Sequence, residues 1–295
     1  MYDLETIHPK YTEEELSKFE SSDLFNDAAV ELLKNTLHLL WVVIGLRYCD
    51  SNGNSTLPLN KEEAVIGGNL VRLLKLNTSF LQNMCESKIE ICYILNRCIA
   101  ETSINILYII NNCEERVIKN YIKYSLITEK DLWNTVMKNI ELKNGDIWDV
   151  ERRMQNSIKN SFEESDFELE DINRSSKWKS IAARAEEIAG EMFYSIYYGV
   201  ASHSVHGNWQ DILINNLKKD ENGFLLNFAW DDPRPQMVDG PVYFNLDVIE
   251  QFAITELKTN TYYTDVLSKH DMLFEYYKSF SEYHEKFLAN NKNSR

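Results

Sequence analysis

The stretch of sequence that decides the fold is residues 88–112, KIEICYILNRCIAETSINILYIINN. Apolar residues fall on nearly every side of this segment at helical spacing, which is typical of a helix that other protein surrounds. Arg97 and Glu101 interrupt the apolar pattern, and their spacing places both on one face, where they can pair. We therefore predict a central helix over 88–112 on which the rest of the chain packs.

Proline is absent from residues 59–232 of the chain. Because proline breaks helices, this interval favours long helices over the short strands and tight turns of a β-rich fold. Helical spacing of apolar residues recurs at 24–48 and 261–287, and Asn222-Gly223 between apolar residues is typical of a hairpin turn. We predict an all-α fold, a multi-helix bundle of long antiparallel helices with a small irregular or hairpin insertion near 218–242.

An acidic segment divides the predicted helices into two parts. Residues 163–176 are predicted to form this acidic, solvated connector. It separates an N-terminal helical part, 1–162, which contains the central helix, from a C-terminal helical part, 177–295. Ser176 and Asn245 are the predicted N-caps of two helices in the second part. The two parts are expected to pack on the same core, and one domain overall fits the pattern equally well.

The chain is acidic, with a formal net charge of −15 and an isoelectric point near 4.9. This charge opposes nonspecific attraction to nucleic acid or anionic membranes, so contact with RNA requires a local basic patch. The five cysteines form an odd set without a Cys-x-x-Cys pair, as expected for free thiols in a reducing cytosol. The first residues lack the features of a secretory signal, and the longest apolar run, 39–46, is too short to span a bilayer. We expect a cytoplasmic protein with no membrane partner.

A second informative stretch is residues 194–209, YSIYYGVASHSVHGNW, which place hydroxyls and imidazoles on an otherwise aromatic and apolar segment. With 3.6 residues per helical turn, a spacing of four puts the polar side chains on one slowly drifting stripe. The stripe consists of Tyr194, Tyr198, Ser202 and His206, and His203 lies one turn away. Because buried polar groups need partners, the stripe is expected to face another helix, a ligand or a second subunit.

Two hypotheses apply to His206 and to Arg97. The imidazole of His206 is a group suited to proton transfer, but a histidine before Gly207 also fits a helix C-terminus that interacts with the last carbonyls. Arg97 either pairs with Glu101 inside the core or points toward a bound anion beside the stripe, with Asn105 and Tyr108 extending the polar face.

Several common motifs are missing from the sequence. His203 and His206 are three residues apart, but no His-Glu-x-x-His motif occurs. The phosphate loop, the dinucleotide fingerprint and the Gly-x-Ser-x-Gly elbow are also absent. We therefore expect no metal and no cofactor, and nucleotide-dependent transfer and esterase chemistry lose support.

Two segments carry a resemblance to a known family. Residues 95–101, LNRCIAE, with Tyr108 beyond them, and residues 197–207, YYGVASHSVHG, resemble a bacterial helical family, the domain of unknown function 5677, over residues 30–215. The family signature combines Arg-x-x-x-Glu on one helix with a tyrosine-rich helix that ends in Ser-x-x-x-His. In this sequence the matching residues are Arg97, Glu101, Tyr194, Tyr198, Ser202 and His206. The resemblance implies a helical fold and no particular activity.

The chain is also loosely similar to HEPN-type ribonucleases, which are helical and usually dimeric proteins of prokaryotic conflict systems. In those enzymes an arginine precedes the histidine on the same helix, whereas this chain has Val200, Ala201 and Ser202 there, so the cation has to come from Arg97 or Arg184. The similarity implies metal-independent cleavage of RNA, with the histidine moving a proton at the 2′-hydroxyl and the arginine stabilising the phosphate.

These observations support two main hypotheses. The first is a HEPN-like ribonuclease that acts as a toxin or antiphage defence effector, with His206, Arg97, Glu101 and Ser202 as catalytic residues and Tyr194, Tyr198, His203 and Tyr108 as substrate-binding residues. The second is a non-catalytic helical interaction or regulatory module, in which the same four catalytic candidates form a buried structural network. The expected partners are a second copy of the chain in a homo-oligomer, RNA, or another protein. A small-ligand pocket lined by Tyr194, Tyr198 and the central helix is a third option.

Overall fold

The computed structural model describes residues 3–50, 54, 58–173, 177–190 and 205–291, and these contain ten helices and one β-hairpin. The helices are α1 Glu13–Leu16, α2 Ser22–Tyr48, α3 Lys61–Cys85, α4 Ile89–Asn111, α5 Glu115–Leu142, α6 Asp149–Ser165, α7 Ile181–Ala189, α8 Trp209–Asp211, α9 Asp239–Glu256 and α10 Tyr263–Asn290. The strands are β1 Leu217–Asp220 and β2 Gly223–Leu226. The predicted all-α class and the small hairpin are both confirmed.

Local capping explains where several helices begin. Thr12 accepts a hydrogen bond from the Glu15 amide while the Glu15 carboxylate reaches back to the Thr12 amide, forming a capping box at α1. Asn60 and Glu63 form the same reciprocal arrangement at α3. Each cap satisfies amides that have no partner within the helix, and its two residues lie only three positions apart, so these helix starts need no tertiary contact.

The chain divides into two compact units. The core unit consists of Met1–Asn111 and Ile181–Arg295, and the helical-pair unit consists of Asn112–Ser180. This division differs from the expected one, since the helical-pair unit spans the end of the expected N-terminal part, 1–162, together with the whole connector, 163–176.

The core unit is built around α4, as the apolar sequence of that segment predicts. α4 packs against α3, α7 and α9, while α2 packs against α3, α9 and α10. From Ile99 to Ile110 almost every residue of α4 is buried, including the polar side chains of Thr102 and Ser103. Apolar surface removed from water in this way is the main favourable contribution to folding of the unit.

Asn245 lies in the middle of α9 and is fully buried, so the prediction that it caps a helix is wrong. Its side chain forms a reciprocal amide pair with Asn77 of α3, with nitrogen-to-oxygen distances of 3.1 and 3.0 Å. Asn77 also donates to the carbonyl of Leu73 at 2.9 Å. Asn245, which the sequence suggested as a helix cap, therefore serves in the fold to join α9 to α3.

The helical-pair unit holds α5 and α6 together through a separate apolar cluster. Leu126 of α5, Ile158 and Phe162 of α6, and Ile172 form its buried centre. The segment expected to be solvated contributes to this cluster, because Ile172 is buried and Lys130 donates to its carbonyl at 2.7 Å. Apolar side chains that lie between the acidic residues of the connector thus pack it against α5 and α6.

The insertion after α8 is a hairpin followed by a short irregular stretch. β1 and β2 pair antiparallel, with Asp220 opposite Gly223 across a two-residue turn. A 3₁₀ turn, Pro235–Val238, follows and leads directly into α9. The predicted insertion near 218–242 is thus shorter at its C-terminal end, since Pro241 already lies in the first turn of α9. Ser176, the other predicted cap, lies outside the described residues.

Helix α2 is long and apolar enough to cross a membrane by length and composition. In this fold 61% of its most apolar window is buried inside the protein, and core helices commonly have this composition. All five cysteines, Cys49, Cys85, Cys92, Cys98 and Cys113, are free thiols in the structure.

Candidate functional site

Four polar residues of α4 lie along one side of that helix and differ in exposure. Arg97 and Asn105 are half-buried, Glu101 is exposed, and Tyr108 is buried with 6% of its surface accessible. The helical spacing of these residues keeps them on a single drifting face, which we call the α4 polar face. Because its carboxylate is exposed, Glu101 is not part of a charge pair enclosed in the core.

Helix α7 delivers a second guanidinium to the α4 polar face. Its sequence, IAARAEEIA, is rich in strong helix formers, and Arg184 and Ala185 face the core. Arg184 is only 4% exposed and donates from its Nη1 to the Oδ1 of Asn105. Burial of a guanidinium is costly unless its donors are bonded, so Asn105 fixes the position of the Arg184 side chain against α4.

His206 lies in the core unit at the end of a helical segment, of which residues 205 and 206 are described. Gly207 follows it with a backbone φ of +55°, in the left-handed region that favours glycine and ends a helix, as the sequence predicts. The His206 side chain is exposed, so its imidazole is accessible to a large substrate. Asn208 then caps α8 by accepting a hydrogen bond from the Asp211 amide at 3.2 Å.

The other predicted site residues, Tyr194, Tyr198, Ser202 and His203, lie outside the described residues. Within the described part, the structure brings Arg184 and Asn105 together, and Arg97, Glu101 and Tyr108 share α4 with Asn105. Since Glu101 and His206 are both exposed, a buried network does not describe these two side chains.

Sequence reasoning missed two carboxylates of α9. Burial raises the pKa of Asp239 to about 7, although a hydrogen bond from Ser281 at 3.4 Å favours the charged form. Burial also raises the pKa of Asp247 to about 6, with the negative charge of Glu250 adding to the effect. No sequence signal separates these two carboxylates from other acidic residues of the chain. Asp239, for example, lies in the first turn of a helix, where acidic residues are common.

Gly240, the residue after Asp239, lies beside another polar group that the sequence does not reveal. A Cβ atom at Gly240 would lie 3.0 Å from the Oδ1 of Asn96, so the first turn of α9 approaches α4 closely at this point. Among the described residues, this Oδ1 is buried without a hydrogen-bond partner. The described residues contain no group of three or more histidines, cysteines or acidic residues placed to hold a metal ion.

Together, these features define the class of the protein: an all-α chain whose central helix presents a polar face to an arginine from a neighbouring helix. The chain belongs to the family described as Family of unknown function (DUF5677), which matches residues 63–224. The match includes α4, α7 and His206, so the resemblance expected over 30–215 is confirmed with a later start. No curated protein and no solved structure matches the chain.

Proposed function

We propose that this protein is a HEPN-like, metal-independent endoribonuclease that binds phosphate at the α4 polar face and uses His206 for proton transfer. The observation that carries the proposal is the position of Arg184, which α7 presents to Asn105 on α4. The segment that carries His206 has no arginine at 200–202, so a HEPN-like reaction requires a cation from another helix. Arg184 is a cation of this kind, and its guanidinium is held in place by a hydrogen bond.

The chemistry follows from the residue types. In RNA cleavage the 2′-oxygen forms a bond to phosphorus while the bond to the 5′-oxygen breaks. One proton leaves the 2′-hydroxyl and another reaches the 5′-oxygen, and His206 is the proposed group for these transfers. Arg184 and Arg97 stabilise the negative charge on the phosphate, and a buried guanidinium does so more strongly than one in water.

The remaining roles are part of the same proposal. Tyr194 and Tyr198 supply aromatic rings for base stacking, which binds single-stranded RNA with little sequence preference. Tyr108, predicted from the sequence as a further substrate-binding residue, is only 6% exposed and takes no part in stacking. Ser202 and His203 contact the phosphate, and Glu101 orients Arg97 from the neighbouring turn of α4. In this proposal the protein acts in the bacterial cytoplasm as a toxin or antiphage effector and works as a homodimer.

The test is an RNA cleavage assay in the presence of EDTA. Wild-type protein is expected to produce 2′,3′-cyclic phosphate ends, and His206→Ala is expected to lower the rate on the order of 10²–10⁴-fold. His8→Ala is the matched control, because His8 is also exposed, and its rate should equal that of the wild type. Absence of cleavage by the wild type, or equal rates for His206→Ala and wild type, would contradict the proposal.

Arg184 needs a separate design because it is buried. Arg184→Gln keeps a donor for Asn105 but removes the charge, whereas Arg184→Lys keeps the charge. If the guanidinium binds phosphate, Arg184→Gln should slow cleavage on the order of 10²–10³-fold and Arg184→Lys should recover part of the rate. Thermal melting of each variant separates this effect from unfolding, since a purely structural role would lower the melting temperature and the folded variants would retain activity.

A second candidate function is a non-catalytic helical interaction module. The exposed apolar side chains between Trp209 and Trp230 favour it, because large apolar patches on a protein surface mark interaction sites. In this case the bond between Arg184 and Asn105 serves only to fix α7 on α4. The same assay distinguishes the two functions: no wild-type cleavage, together with a large loss of stability in Arg184→Gln, supports the interaction module.

A further inference from the structure

The hairpin and its flanking residues carry an unusual amount of exposed apolar surface. Phe228 is 89% exposed and Leu226 is 69% exposed. The exposed large apolar side chains of this surface are Trp209, Ile212, Ile214, Phe224, Leu225, Leu226, Phe228 and Trp230. At about 150–250 Å² for a fully exposed aromatic side chain, the exposed fractions of the four aromatic residues alone correspond to roughly 500 Å². Monomeric proteins rarely expose more than a few hundred Å² in one patch.

The two edges of the hairpin differ in charge. β1, with the sequence LKKD, presents Lys218 and Lys219, and lysines on an edge strand oppose pairing with another strand. β2, with the sequence GFLL, has no charged residue, and the chain stays uncharged from Gly223 to Trp230. Only the β2 edge therefore lacks the residues that normally prevent addition of a further strand.

The register shows which backbone groups face that edge. Leu226 lies opposite Leu217 and Phe224 opposite Lys219, and the Asn227 amide donates to the Asn216 carbonyl at 2.8 Å. Hydrogen-bonded and non-hydrogen-bonded pairs alternate along an antiparallel ladder, so the N–H and C=O groups of Phe224 and Leu226 point away from β1. An isolated two-stranded hairpin is marginally stable in water, and further strands stabilise it.

We propose that the β2 edge is a homodimer interface, in which β2 pairs antiparallel with β2 of a second copy of this chain to form a four-stranded sheet. A two-fold axis brings the same uncharged strand together with itself, so apolar side chains meet apolar side chains. Each copy carries a net charge of −15, so two copies repel each other, and this repulsion is smallest where the surfaces that meet are uncharged, as the β2 edge is. In the four-stranded sheet, apolar side chains become cross-strand neighbours on both sides of the axis, and this contact covers part of the exposed apolar surface. This proposal assigns an interface to the homodimer of the proposed function, and it holds whether or not the protein cleaves RNA.

The test compares proline substitutions on the two edges by sedimentation equilibrium of the full chain. Leu226→Pro removes an outward-facing donor of β2 and leaves the ladder to β1 intact, and Lys219→Pro does the same on the β1 edge. We expect a dimeric wild type, a dimeric Lys219→Pro variant, and a dissociation constant raised roughly tenfold or more in Leu226→Pro, because each copy loses a hydrogen bond across the axis.

Hydrogen exchange provides a readout that needs no substitution. The amides of Phe224 and Leu226 should exchange more slowly as protein concentration rises, while the Lys219 amide should not change. A wild type that is monomeric at all concentrations, or a Leu226→Pro variant that dimerises as tightly as the wild type, would overturn the proposal. Circular dichroism of both proline variants confirms that the helical fold is retained, so that a lost dimer is not a lost fold.

Discussion

Replacement of Asn77 by leucine should show how strongly a buried amide pair holds α3 against α9. Asn77 and Asn245 are both fully buried and exchange two hydrogen bonds at 3.0 and 3.1 Å. Asn77→Leu keeps a similar volume but leaves the N–H and C=O groups of the Asn245 amide without partners. Each buried polar group left in this way costs about 1–3 kcal/mol, and burial of the added apolar surface offsets part of that.

We therefore expect Asn77→Leu and Asn245→Leu each to lower the free energy of unfolding by about 2–3 kcal/mol. The double variant should lie within about 1 kcal/mol of the wild type, because two apolar side chains then face each other. The assay is urea unfolding followed by far-ultraviolet circular dichroism and by tryptophan fluorescence, whose coincidence tests for a single transition. Asn83→Leu is the control, since half-buried Asn83 makes the same kind of bond, to Ser79 on its own helix.

The Asn83→Leu variant should cost less than about 1 kcal/mol, because its one described bond is local. Costs for the two single variants that simply add in the double variant would refute the reasoning. A decrease in the free energy of unfolding of less than about 1 kcal/mol for either single variant would also refute it, because a buried amide without hydrogen-bond partners costs more than that.

Two further predictions concern pH and helix glycines. The native state keeps a proton on Asp239 up to about pH 7, above the ordinary carboxyl value near 4, so this group favours folding most at low pH and the benefit is lost as pH rises through 7. Asp239→Asn should therefore raise the free energy of unfolding at pH 8 but not at pH 4, by at most about 4 kcal/mol, since the helix N-terminus favours the carboxylate. Thermal melts at the two pH values measure this change, and an equal effect at both would contradict the prediction. Gly68→Ala should stabilise the protein by about 0.5–1 kcal/mol, because a Cβ there meets open space. Gly67→Ala should gain less in the same thermal melts, because its Cβ would lie 3.3 Å from the Tyr48 ring; equal gains would contradict the packing argument.

Features that depend on near neighbours in the chain were predictable. The caps at Thr12 and Asn60 involve partners three residues away, and the left-handed Gly207 ends its helix through its own backbone freedom. The burial of α4 was also predictable, because its apolar residues leave few sides that tolerate water. For the candidate site, the sequence predicted that Arg97 and Glu101 share a face, but it did not predict the exposure of Glu101.

The sequence by itself determined the helical class, the positions of most helices and the hairpin turn, because these depend on hydrogen bonds and side-chain patterns within a few residues. The tertiary structure alone decided that Asn245 pairs with Asn77 across 168 positions and that Arg184 reaches Asn105 across 79. It also decided that residues 112–180 form a unit of their own. Such contacts are set by which helix faces pack together, and a polar side chain carries no local sign of the partner that burial will require it to find.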